Sequence, residues 1–161
     1  MPAWPQRFYD LKRGVGCPFC AQGRPDETPH GIRFHAGELT DAYLSRGGIQ
    51  RGLSYVVFRD RHVVEPTELE PDETARFWAE VLHAARALES VFQPVKLNYD
   101  ILGNSVPHLH VHLVPRYADD PRPEWPFPFP EEDPPAFPDD EVRADAERLR
   151  VSCGASLDAL S

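Results

Sequence analysis

The sequence predicts an α+β fold: an antiparallel sheet of about five strands carrying one long helix, followed by a proline-rich tail and a short terminal helix. Three observations carry that expectation. Short stretches at 31–36, 39–44, 53–58, 95–102 and 108–114 are apolar, or alternate with the period of two that sends successive strand side chains to opposite faces. Residues 71–92 instead repeat their apolar positions every three to four residues, as a helix laid on a sheet does. Past residue 117 the composition turns to proline and acid, and residues 119–138 hold eight of the 18 prolines. A chain of 161 residues suits one core, here divided into a folded part, 1–117, and an extended tail with its helix, 118–161.

In chain order, residues 1–16 show no periodicity. Trp4, Phe8 and Tyr9 are expected on the domain surface or against a second subunit. Cys17-Pro18-Phe19-Cys20 follows. Cysteines at this spacing present two thiolates to one metal ion, form a redox pair, or are ordinary loop cysteines. The redox reading needs a strand before and a helix after, whereas Gly14, Gly16 and Gly23-Arg24-Pro25 describe a loop. Gly37-Glu38 turns the first strand into the second, and 45–50 is a flexible loop. The third strand is almost wholly apolar and therefore central. His30 and His35 stand alone, with no role assigned.

Pro71 suits a first helical turn, and Asp72 and Glu73 complement the positive helix end. The helix should bury Phe77, Val81, Ala84, Leu88 and Val91, place Trp78 and Phe92 in the core, and leave His83 an ordinary helix residue. Gly103-Asn104-Ser105 turns the fourth strand tightly into the fifth, which lets the Ser105 hydroxyl and nearby N–H groups face that strand as a cradle for phosphoryl oxygens. Turn chemistry alone also explains Asn104. In the tail, 121–130 alternates proline with Trp125, Phe127 and Phe129, and can build neither helix nor ladder. It is expected as extended polyproline chain, with Trp125 either approaching an active site or packing on the surface. Asp139 to Arg150 reads as a short charged helix, and Cys153 as a lone cysteine.

The fifth strand concentrates the chemistry. In Val106-Pro107-His108-Leu109-His110-Val111-His112-Leu113-Val114-Pro115-Arg116, three histidines alternate with apolar residues. As a strand, the stretch sends three imidazoles to one face and Leu109, Val111 and Leu113 to the other, towards the core. Such a row can bind a metal, as in a metallohydrolase. It can also attack phosphorus, one unprotonated imidazole acting as nucleophile while its neighbours hold oxygens and protonate the leaving group.

Composition narrows the partners. Seventeen basic against 26 acidic residues leave a net charge of −9, which argues against nucleic acid and anionic membrane surfaces but not against a small nucleotide. No apolar run approaches a membrane span. Met1-Pro2-Ala3-Trp4-Pro5 shows no signal peptide, and three cysteines are too few for a disulfide scaffold. A cytoplasmic location is the expectation.

The run His108-Leu109-His110-Val111-His112-Leu113-Val114 resembles the signature of the histidine triad (HIT) superfamily. The likeness extends upstream through Asn98 to Ser105 and includes Gly52 to Val63, covering roughly residues 15–117. It implies a HIT-like sheet and a hydrolase or transferase acting at the α-phosphate of a dinucleoside polyphosphate or nucleoside phosphoramidate. His110 would be the nucleophile, His112 would hold phosphate oxygens, and His108 would orient the strand or serve a metal. Asn98, Asn104 and Ser105 would contact phosphate. Some members join two cysteines to two histidines around a structural zinc, which here would be Cys17, Cys20, His62 and His108. The Asn98 to Arg116 stretch looks more like bacterial, diadenosine-polyphosphate hydrolase-like members. A catalytically weak nucleotide-binding protein is the alternative within the resemblance. Ser45 or Arg46 stands where the family often has a ribose-binding acid. Members commonly form a homodimer through the helix and an edge strand.

Overall fold

Strands form where the alternating residues stand. In the computed structural model, which describes residues 3–158 and the side chains of those up to 154, five strands make one sheet: β1 (Gly31–Ala36), β2 (Thr40–Ser45), β3 (Ser54–Phe58), β4 (Lys96–Asp100) and β5 (His110–Arg116). All pairings are antiparallel, in the order β1-β2-β3-β5-β4. Val56 lies opposite Val111 and Ser54 opposite Leu113, so the inward-facing residues form one apolar face. Two helices cover that face: α3 (Pro71–Phe92) and α4 (Asp139–Asp158). Preceding them are two short helices, α1 (Gln6–Lys12) and α2 (Pro18–Ala21).

Helix α3 starts at a capping box in which Glu70 and Glu73 exchange side-chain and backbone hydrogen bonds. It ends at Gln93, whose φ of 48° puts a non-glycine residue in the left-handed region. Its buried side chains Phe77, Val81, Ala84 and Leu88 fall on one stripe.

Several features depart from the sequence reading, among them the helical turn Pro18–Ala21 where a loop was expected. Helix α4 has 20 residues instead of being short; Val142, Ala146, Leu149 and Cys153 form a buried stripe that carries it beyond the charged residues up to Arg150. Residues 6–12 are helical despite their lack of periodicity, with Leu11 as the one buried anchor of α1. The β4–β5 connection spans 101–109 rather than a tight turn, because β4 stops at Asp100 and β5 starts at His110. Among the described residues no helix is long and apolar enough to cross a membrane.

The opposite sheet face is polar. Register puts Asp41 beside Val57 and Tyr43 beside Tyr55, Tyr55 beside His112 and Val57 beside His110, and Asp100 beside His112 and Asn98 beside Val114. Asp41, Tyr43, Tyr55, His110, His112, Asn98 and Asp100 therefore share this face.

Candidate active site

Period two works as expected in β5: Val111 and Leu113 are fully buried in the core, as is Leu109 just before the strand, while His110 and His112 stand on the polar face. Their rings meet edge to face, with centroids 4.9 Å apart. The His110 Nδ1–H donates to the His108 carbonyl at 2.6 Å. That bond assigns the proton to Nδ1 and leaves the Nε2 lone pair unused. Burial pushes the His110 pKa below its ordinary value and that of His112 down to about 4, with His110 adding a smaller effect, so both rings are neutral near pH 7. The His112 Nδ1 is buried without a hydrogen-bond partner. His110, only 7 % exposed, lines a cavity of about 180 Å³ together with His108, Asn104, Ile101 and Trp4. Compared with the roughly 300 Å³ or more of a drug-sized ligand pocket, this space suits a phosphoryl group rather than a whole nucleotide.

His108 lies just before the strand and behaves differently. Its Nε2–H donates to the Phe58 carbonyl at 2.6 Å, and its Nδ1 sits 3.4 Å from Cys17 Sγ and 3.5 Å from Cys20 Sγ. Both ring nitrogens are thereby engaged away from the cavity. The fourth member, His62, places Nδ1 3.3 Å from Cys20 Sγ, and its Nε2–H donates to the Lys12 carbonyl. All four ligand atoms lie within 4.8 Å of one another. Gly14, beside the His62 ring, has a φ of +84°, a backbone conformation that glycine adopts without strain. Two sulfurs and two imidazole nitrogens suit a tetrahedral ion, whose ligand atoms lie about 3.5 Å apart. The outward N–H of each histidine is tied to a backbone carbonyl, as metal-bound imidazoles require. The three triad histidines, by contrast, form no metal-holding group among the described residues, because His108 is turned to the cysteines.

The expected phosphate contacts are dispersed. Asn104 reaches the cavity wall. Ser105 is exposed and does not line that cavity. The Asn98 Oδ1 accepts from Arg116 at 2.6 Å. Arg116 is a hub that the sequence reading did not assign: buried on the site face, it also pairs with Asp120 and donates to the carbonyls of Arg122 and Trp125. Trp125 itself is 62 % exposed, over Arg122; the tail residue beside the triad is Phe129, its ring 6.0 Å from that of His112. Phe19, inside the Cys-Pro-Phe-Cys turn, touches the rings of both His108 and His110. Arg46, where a ribose-binding acid was sought, is held by Glu27 and Asp139.

The model of the family described as HIT domain matches residues 42–119. The chain carries a HIT domain. Among solved structures, a histidine triad protein from Bradyrhizobium japonicum is 28% identical, the match covering 77% of this chain and 91% of that one at a TM-score of 0.66. A histidine triad (HIT) protein from Sinorhizobium meliloti 1021 is 27% identical over 76% of this chain and 90% of its own, with a TM-score of 0.67. A zinc-bound histidine triad family protein from Mycobacterium smegmatis shares the fold at 23% identity, covering 91% and 96% of the two chains at a TM-score of 0.60. The matched span of the HIT domain contains His62 and all three triad histidines; Cys17, Cys20 and α4 lie outside it. The architecture is HIT-like, and the family is one of nucleotide-binding proteins and hydrolases.

Proposed function

We propose that the chain is a hydrolase that cleaves at the α-phosphate of a dinucleoside polyphosphate or a nucleoside phosphoramidate through a covalent nucleotidyl-His110. The observation that carries this reading is the His108 carbonyl on His110 Nδ1–H, which presents a neutral, lone-pair-bearing Nε2 beside a small cavity. Nε2 attacks the α-phosphorus; the N–P bond forms as the bond to the leaving nucleotide or amine breaks. Water then attacks the same phosphorus, releasing the nucleoside monophosphate and restoring the imidazole. His112 holds a phosphoryl oxygen. The negative charge of a bound phosphate favours its protonated form, from which it supplies the leaving group's proton. Asn104 at the cavity wall and Ser105 and Asn98 nearby in sequence serve the phosphate oxygens, and His108 positions His110 without touching substrate.

Zinc is the ion we assign to Cys17, Cys20, His62 and His108. With four protein ligands it is structural, leaving no open coordination position, and it ties the N-terminal helices to the triad. The edge strand β4, with Tyr99 exposed on it and Val95 and Leu102 exposed at its two ends, supports a homodimer paired along that edge.

Incubation with diadenosine tetraphosphate or adenosine phosphoramidate, followed by acid quenching and intact mass measurement, tests the mechanism. A nucleotidyl adduct in the wild type and none in His110→Ala is the expected result. Equal turnover by His110→Ala would overturn it. Chelation is expected to lower the unfolding temperature; abolished turnover in a chain that stays folded would favour a catalytic ion instead.

A further inference from the structure

On the helix-covered face, far in sequence from the triad, three metal-binding side chains meet. His35 comes from β1, His83 from α3 and Cys153 from α4, and their ligand atoms all lie within 4.8 Å of one another. These are the residues the sequence reading left as an isolated histidine, an ordinary helix residue and a lone cysteine.

A β-bulge brings them together. Arg33 pairs with Tyr43 and His35 with Ala42, so Phe34 is an extra residue without a partner in β2. By strict alternation His35 would share the polar face with Arg33. The bulge turns it to the helix face, opposite a side chain small enough to leave it room; re-aiming a side chain is what such bulges do. The His35 and His83 rings lie 4.6 Å apart. The His83 Nε2 is buried with no hydrogen-bond partner, a costly state for an imidazole nitrogen. Cys153 is 3 % exposed. Glu80, one turn before His83, adds negative charge nearby while its carboxylate accepts from the Leu39 N–H and the Thr40 hydroxyl.

We propose that His35, His83 and Cys153 form a second cation site, built for a borderline-soft divalent ion such as zinc, with the fourth position left to solvent. An N₂S donor set is that of such ions and excludes magnesium or calcium. Zinc bonds of about 2.0–2.3 Å require ligand atoms about 3.3–3.8 Å apart, so the cluster closes by side-chain rotation. A bound ion would staple α4 to β1 and α3. The site stands on other residues, and on the other face of the sheet, from the cysteine pair and the triad.

The full chain, stripped with a chelator and titrated with cobalt(II) under reducing conditions, reports stoichiometry and thiolate ligation through absorbance. His35→Gln and Cys153→Ala are each expected to lower the wild-type stoichiometry by one equivalent per chain, and Cys153→Ala to remove part of the thiolate-to-cobalt band. His35 is only half-buried, so His35→Gln reads the site even where Cys153→Ala fails to fold by circular dichroism. Wild type and His35→Gln binding the same number of equivalents with the same spectrum would overturn the proposal.

Discussion

The two faces of one sheet do opposite work. The face under α3 and α4 is mostly apolar: Val56, Val111, Leu113, Phe77 and Leu88 are fully buried there. The other face is built from polar groups that satisfy one another. Asp41, wholly buried, accepts from Arg24, Arg33 and Arg59, and Arg116 ties Asn98 to the tail. Against that background, the His112 Nδ1 is buried without a hydrogen-bond partner and His110 lies at the wall of the small cavity. Period two lets adjacent residues of a single strand serve packing and chemistry separately, so a substitution on each face should fail in its own way.

The largest effect should be chemical. His110→Ala is expected to lower turnover of an adenylated substrate by at least about 1,000-fold, with the unfolding midpoint in denaturant almost unmoved. Asp41→Ala, on the same face, should instead cost stability, about 3–5 kcal/mol, because it strands the nearly buried Arg59 guanidinium; a denaturant titration measures it. Leu113→Ala, one residue from His112 but on the helix face, should cost about 3 kcal/mol as a cavity and change turnover only as far as folded protein is lost. If it instead abolished turnover in folded protein, the separation of the faces would be wrong.

Acid distinguishes the faces more gently. His112 has a pKa of about 4 when folded against an ordinary 6.5, so between those values the unfolded chain binds the extra proton. Its contribution to stability is therefore full above about pH 6.5, falls as pH drops towards 4, and is level below. Across that window the stability of wild type relative to His112→Phe should fall as pH drops. The smallest effect is expected outside both faces: Gln93→Gly should stabilise by about 0.5–1 kcal/mol, relieving the left-handed residue that ends α3.

The sheet and α3 were legible because their periods are long, regular and uninterrupted. That His110 and His112 share one sheet face was legible in the period of two, and that Cys17 and Cys20 sit together was legible in their spacing; the role expected of His110 came from the family resemblance. What was not legible depends on long-range register. Nothing in Ile32-Arg33-Phe34-His35 announces that Phe34 bulges, yet that residue decides which face His35 joins. Helix α4 looked short because Glu147, Arg148 and Arg150 interrupt the eye while Leu149 and Cys153 continue the buried stripe. Trp125 drew notice as the largest aromatic in the tail, but prolines on either side fix where the chain can bend, and Phe129 is the ring they deliver to His112. Alternation put His108 on the same side as its two neighbours but did not fix which way its ring turns; its place beside the cysteines was an expectation of the resemblance.

The tail also crosses from one face to the other. It leaves β5 under Arg116, lays Phe129 beside the triad, reaches Arg46 through the Phe137 N–H, and enters α4 on the far side. It is a belt whose two ends fasten different layers. One peptide-bond cut between these fastenings would at once free the ring beside His112 and leave the terminal helix held only by its own contacts, so that integrity of the belt couples the surroundings of His112 to the closing of the core.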